Sequence, residues 1–347
     1  MNLKSENPLF KDKWFPVKEL TDLSPQLMVI VDTEEEFDWS APFSRKSTGV
    51  KSIRGQSRLR EIYRSFGMRP TYVVDYPVAS QAAGYEPLRE LLDNGECLIG
   101  AHLQPWVNHP DEEEINEFNS YPGNLPPDLE RRKLEVLTDI ITENFGMRPV
   151  IYKAGRYGLG RETFRTLTKM GYLVDLSPVP YNDLSYKHGP DFSRVRPYPY
   201  WIDQPGGLLT VPLTRDFFGP LSALAAPLDR FMNKPVLRSF MRGILSRARL
   251  LERSSLTPEG VTVAEYTRLV EAMIARGQRI FSLTYHSPSL EPGHTPYVRT
   301  AADLTLFKDS IETFLDTFMN RFGGQPTDPI SLRKLLLKRV NSAGPLP

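Results

Sequence analysis

Short apolar runs alternate with longer amphipathic stretches along most of the chain. The runs are LMVIVD (27–32), RPTYVVD (69–75), CLIGAH (97–102), PVIYKA (149–154), YLVDL (172–176), LLTVPL (208–213) and RIFSLTYH (279–286). They are rich in β-branched and aromatic residues and bounded by turn formers, and so predict strands. Between them DLERRKLEVLTDIITENF (128–145), ETFRTLTKMGY (162–172) and VAEYTRLVEAMIARG (263–277) carry apolar residues at helical spacing, each ending near a glycine as a helix stop requires. This alternation predicts an α/β fold with a parallel sheet and crossover helices, and seven such units predict a barrel.

Outside this core, residues 1–24 predict an N-terminal extension and 323–347 a C-terminal tail, both loose as termini usually are. The barrel proper is expected over 25–322, with a helical insertion at about 220–256. There VLRSFMRGILSRARLLER (236–253) puts apolar residues on one stripe and Arg238, Arg242, Arg249 and Arg253 around the other side. A surface helix with arginines in water accounts for it, and the sharper alternative is a lid or a helix with weak contact to an anionic membrane surface.

Composition narrows the partners. The 347 residues are 40% hydrophobic and 24% charged, enough for a sizeable core, and the formal net charge of +1 argues against nucleic acid. The single cysteine, Cys97, rules out an internal disulfide framework and a thiolate zinc site. The first residues lack a signal-peptide core and no stretch approaches a membrane span, so a cytoplasmic protein is expected. Composition does not determine the oligomeric state.

Chemistry gathers at the strand ends. The first run delivers Asp32 and Glu34 inside the acidic DTEEEFDW, the third His102, the fourth Lys153 and Arg156, the fifth Asp175 and the last His286. In a parallel α/β barrel, carboxyl ends of different strands converge on one rim, where active sites are built. Each feature also has an ordinary explanation. An acidic run suits a solvated helix start, a lone histidine suits a core or turn, KAGRYGLGRE suits a glycine turn, and His188 and His294 read as loop residues. Acids, histidines and cations at so many strand ends in order are harder to explain one by one.

The ordered segments VDTEEEFDW, GAHLQPWVNHP, YKAGRYGLG, VDLSPVP and LTYHSPSLEPGHTPYV resemble the five motifs of the polysaccharide deacetylases. These are metal-dependent carbohydrate esterases with a NodB-homology domain, and the resemblance is nearest to the branch associated with bacterial exopolysaccharide and cell-wall polysaccharide clusters. It covers about residues 25–320. It implies a distorted (β/α)7-type barrel with a divalent metal, zinc foremost, held by a carboxylate and two histidines and activating water against an N-acetyl group. Carried over residue by residue, it implies Asp32 as base, Glu34 and His102 as metal ligands, His286 as general acid, Asp175 as the carboxylate that orients it, and the Tyr157 amide in the oxyanion hole. Trp39, Trp106, Lys153 and Tyr285 are the candidates for substrate contact.

Two positions depart from the family pattern. The second metal histidine would fall four residues after His102, at Trp106. His109 and Asn108 are the leading substitutes, Gln104 follows, and His286 is the remaining alternative. The family's arginine is matched by Lys153 or Arg156, of which Arg156 is expected to grip Asp32 by its bidentate geometry. The function so implied is hydrolysis of the N-acetyl amide of a saccharide or lipid-linked saccharide in polysaccharide biosynthesis. The alternatives are hydrolysis of another linear or cyclic amide, and a catalytically silent carbohydrate-binding relative.

Overall fold

The computed structural model describes residues 14–17, 20–38, 40–222 and 251–342. Its strands are β1 (Trp14–Pro16), β2 (Gln26–Thr33), β3 (Thr71–Val74), β4 (Leu98–Leu103), β5 (Ile151–Ala154), β6 (Val174–Asp175), β7 (Tyr200–Ile202), β8 (Leu208–Thr210), β9 (Arg215–Phe218), β10 (Glu252–Ser255), β11 (Ile280–His286) and β12 (Gln325–Pro326). Every apolar run read from the sequence contains one of them. Strands β8-β6-β5-β4-β3-β2-β11 lie side by side and pair in parallel, with β7 and then β1 added antiparallel beyond β8. Among the described residues the two ends of this sheet do not pair, so the barrel is distorted and not closed.

Side chains alternate across each strand, and this divides the core in two. Met28, Ile30, Val73, Ile151, Val174, Leu209 and Ile280 meet inside the curved sheet. Leu27, Val29, Val31, Val74, Ile99, Tyr152, Phe281 and Leu283 face the outer layer, packing with residues such as Leu134 and Leu137 of the helix Pro127–Phe145 and Leu269 and Met273 of the helix Val263–Ala275. The first of these helices ends on Gly146 at φ 70°, a left-handed cap that glycine takes without strain. The second starts with a capping box between Thr262 and Glu265.

The chain ends belong to this architecture. β1 pairs with β7, and β12 adds to β2 at Gln26 and Leu27, ahead of the point where β3 begins. The helix Pro329–Ser342 then sends Leu332 and Leu336 into the inner core. The segment read as a loose tail therefore closes the bottom of the curved sheet.

In the expected helical insertion, residues 223–250 lie outside the described residues, including Arg238, Arg242 and Arg249. Its end is not helical. Glu252–Ser255 form β10, antiparallel to β9, with Glu252 paired to Arg268 at 3.0 Å and Arg253 donating to the Tyr181 carbonyl at 3.0 Å. Ladder bonds and these two partners favour the extended form there over the expected helix. The membrane reading of 236–253 thus loses Arg253.

Leu336 is almost wholly buried. Leu336→Ala should lower stability by roughly 2–4 kcal/mol in chemical denaturation, the cost of a core cavity, if the C-terminal helix is part of the cooperative unit. A loss within a few tenths of a kcal/mol of zero would show that it is not.

Candidate active site

The alternation that builds the inner core also aims the polar residues. Asp32 continues the inner face of β2 after Met28 and Ile30, His102 that of β4 after Leu98, Lys153 that of β5 after Ile151, and His286 that of β11 after Ile280. His286 is in register with Asp32, and His102 with Lys153. All four therefore rise from the same interior at its carboxyl end.

The closest contact is an ion pair. The Lys153 ammonium reaches both Asp32 oxygens, at 2.5 and 2.6 Å, and both residues are buried. Burial opposes charge on Asp32, but the Lys153 ammonium, with His286, outweighs it and holds the carboxyl below its usual range. This corrects two expectations. Lys153 is locked beneath the cavity and is not a substrate contact. Arg156 does not grip Asp32, because the chain turns left-handed directly after β5, with φ of 53° at Arg156 and 60° at Tyr157. That turn sends the guanidinium to Ser120 and over the Tyr121 ring, 4.2 Å from its centre.

His286 stands 3.8 Å from Asp32, with one third of its side chain open. Its Nδ1 is 2.7 Å from Glu259, which also accepts from the His286 backbone N–H at 3.0 Å and from the Ser289 hydroxyl at 2.5 Å. Burial disfavours the imidazolium, yet Glu259, with Glu34 and Asp32, overcomes this and raises the pKa to about 10. Asp175 was the expected orienting carboxylate. It lies one residue past the inward Val174, so it faces the other way, accepting from Thr210 at 2.6 Å and from Ser177, and burial raises its pKa to about 6. Glu259 was missed by sequence reasoning. Its only signal, the Pro-Glu-Gly of residues 258–260, reads as turn chemistry.

Beside this group, Glu34 Oε2 and His102 Nε2 are 3.6 Å apart, and both residues are buried. His102 Nδ1 lies 3.0 Å from the Lys153 carbonyl oxygen. A carbonyl only accepts, so Nδ1 carries the hydrogen and Nε2 turns its lone pair toward Glu34, the arrangement of a metal-binding histidine. Among the described residues no third histidine, cysteine or carboxylate completes a set. The neighbour is Gln104, whose Nε2 donates to Glu34 at 2.8 Å and lies 3.4 Å from His102 Nε2. Carboxylate, imidazole and amide are donors a divalent cation accepts, so the residues present fit such an ion.

The other expected ligands lie elsewhere. Asn108 is buried and spends its amide hydrogens on the His109 and Lys133 carbonyls, and His109 is exposed and 3.2 Å from Asp111. The loop does not double back because Lys133, fully buried, ties it down through the Pro105 and Asn108 carbonyls and Glu113. Trp106 and Tyr285 are core residues. The Trp106 indole donates to Glu35 at 2.8 Å and packs on Phe37 and Phe43, while Tyr285, on the outer face of β11, meets Tyr63 and Phe307. Neither is open to substrate. Trp39 lies outside the described residues.

Asp32, Glu34, His102, Gln104, Arg156, Tyr157 and His286 line a cavity of about 260 Å³, edged by Tyr121, Leu184, Tyr186 and Lys187. Tyr186 is the most exposed large apolar side chain among the described residues, at 74%. Burial lifts the Tyr157 hydroxyl well above the usual phenol range, so it stays neutral.

No family model and no curated protein matches the chain. Among solved structures it is similar to two proteins described as candidate polysaccharide deacetylases. One, from Mycobacterium smegmatis, aligns at 18% identity and a TM-score of 0.52 over 96% of each chain. The other, from Pseudomonas aeruginosa PAO1, aligns at 15% identity and a TM-score of 0.51 over 93% of each chain. An allantoinase, Puue, aligns at 15% identity and a TM-score of 0.47. The first two establish a shared fold, the distorted barrel that the sequence resemblance implies.

Two outcomes follow from the ion pairs. Lys153→Met should destabilise the protein by roughly 3–5 kcal/mol in chemical denaturation, because it leaves a buried carboxylate unpaired. Arg156→Met, which strips a partly exposed cation, should cost clearly less. The Glu259–His286 pair should stabilise the fold fully below about pH 6.5, the ordinary histidine value, and fade as pH rises toward 10. NMR titration of the His286 ring should show imidazolium at pH 8, and in Glu259→Gln the midpoint should move down toward about 6.5.

Proposed function

We propose that the protein hydrolyses the N-acetyl amide of a carbohydrate, with a divalent metal, most readily zinc, held by Glu34 and His102. The observation that carries this reading is the pairing of an anionic Asp32 with an imidazolium His286, 3.8 Å apart at the floor of one cavity beside the Glu34–His102 pair. A base and an acid with pKa values driven apart by their surroundings are what amide hydrolysis needs.

A bound metal would polarise the acetyl carbonyl and lower the pKa of water. The chain's own groups do the rest. Asp32, kept ionised by Lys153, takes a proton from water. The Tyr157 backbone N–H, in the left-handed turn after β5, donates to the oxygen that gains charge. His286, kept charged by Glu259, gives its Nε2 proton to the amine nitrogen as the C–N bond breaks. Acetate and a free amino sugar result. Arg156, Tyr186 and Lys187, which line the cavity, would meet sugar hydroxyls and a ring face. A saccharide or its lipid-linked form is the substrate this supports, in polysaccharide biosynthesis and in the cytoplasm. No helix of the described residues is long and apolar enough to cross a membrane.

The test is acetate release from a panel of N-acetyl amino sugars and oligosaccharides, with metal content measured on the same preparations. His286→Asn should lower turnover by about 10²-fold or more while keeping the metal, the scale of general acid catalysis. His102→Ala should lose the metal. No acetate from any N-acetylated sugar, with metal present, would send the reading to another amide.

A further inference from the structure

Gln104 is the one residue at the Glu34–His102 pair whose hydrogen bonding does not close. Its amide hydrogens face the carboxylate and the imidazole, but Oε1 is buried without a partner. A buried carbonyl left unpaired costs about 1–3 kcal/mol. The space around that oxygen is built by a glycine. A Cβ on Gly155 would stand 2.1 Å from Gln104 Oε1 and 2.5 Å from the Leu103 carbonyl oxygen, so Oε1 and this carbonyl flank the same point. Both are acceptors, and neither can satisfy the other.

A half-turn of the amide about its last bond reverses both problems. The NH2 group then lies on the side of Gly155 and the Leu103 carbonyl, an acceptor. Oε1 meets Glu34 Oε2 and the His102 Nε2 lone pair, three acceptors converging on one point. Such a cluster repels itself unless a cation sits among them, and with a cation it is a ligand set.

We propose that Gln104 is the third protein ligand of this site, through Oε1, and that its amide turns over as the metal binds and leaves. The inference rests on the reading above that Glu34 and His102 hold a divalent cation. It replaces a second histidine by a neutral oxygen donor. Two oxygens and one nitrogen make a harder set than one oxygen and two nitrogens, so manganese competes better against zinc here. The site carries one negative charge from its ligands, and the bound ion keeps a net positive charge toward the cavity. The chain reaches this geometry because Gln104 is extended, with φ −102° and ψ 105°, and stands two residues after His102, on the same face of the strand.

The test is calorimetric titration of the metal-stripped full chain with ZnCl2 and MnCl2, for the wild type and for Gln104→Ala, Gln104→Glu, Gln104→His and His102→Ala. One ion should bind per chain. Gln104→Ala should weaken both metals by at least about 10-fold, Gln104→Glu, the isostere with a charged oxygen, should tighten both, and Gln104→His should tighten zinc more than manganese. Gln104→Ala binding as the wild type does, with His102→Ala losing the ion, overturns this inference and leaves the metal-dependent reading standing. Binding only in Gln104→His shows that the wild-type amide bridges the pair in place of a metal, and overturns both. Thermal melting of Gln104→Ala separates a lost ligand from a lost fold.

Discussion

A lysine ammonium and an aspartate carboxylate buried together carry a large desolvation cost, which only their mutual contact offsets. The site is organised around that pair, and strand β5 sets most of it. The Lys153 ammonium holds Asp32, while the Lys153 carbonyl accepts from His102 Nδ1 and so fixes which nitrogen faces Glu34. Two residues on, Gly155 leaves room for the Gln104 amide, and the turn after it carries Tyr157 to the cavity wall. One short strand thereby sets the charge of Asp32, the orientation of the His102 ring and the wall of the pocket.

The acidic run after β2 resolves into separate fates. Asp32 and Glu34 share the inner side and face the cavity. Glu35, one residue out of phase, is buried against Trp106, and burial with the nearby Asp75 pushes its carboxyl well above the usual carboxylate range. Glu36 accepts from the Ser52 N–H at 2.6 Å, and Asp38 accepts from Ser40 as an ordinary turn residue. Mutual repulsion is eased because burial favours the neutral form of Glu35 and Asp32 is paired with Lys153.

The strands were legible because each apolar run is buried on both faces, which demands the continuous pattern that was read. The site was legible to the extent that the two-residue alternation was followed. Asp32, His102 and His286 obey it, and Asp175 and Tyr285 fail it by one position each, a misplacement already visible in the spacing from Val174 and Ile280. Gln104 was visible by the same rule, two residues after His102, but a four-residue family spacing drew attention to the loop beyond. Three features were not legible. Nothing in the run KAGRYG says where the backbone turns left-handed, so Arg156 was expected at Asp32 in place of Lys153. Glu259 reaches His286 only through tertiary packing, and buried Lys133 ties down the loop after Gln104 across 28 residues.

The pairing of β11 with β2 has a consequence for how the chain comes to be folded. Glu34 and Ser287, in contact across that seam, are 253 residues apart in sequence. During synthesis β2 emerges long before β11 and keeps one edge of unpaired amides and carbonyls until the residues between them have followed. His286 arrives with β11, and Asp32 waits for it. Up to that moment the growing chain holds a buried-type strand, LMVIV, with half its hydrogen bonds open, which makes the interval before β11 docks its most aggregation-exposed stage.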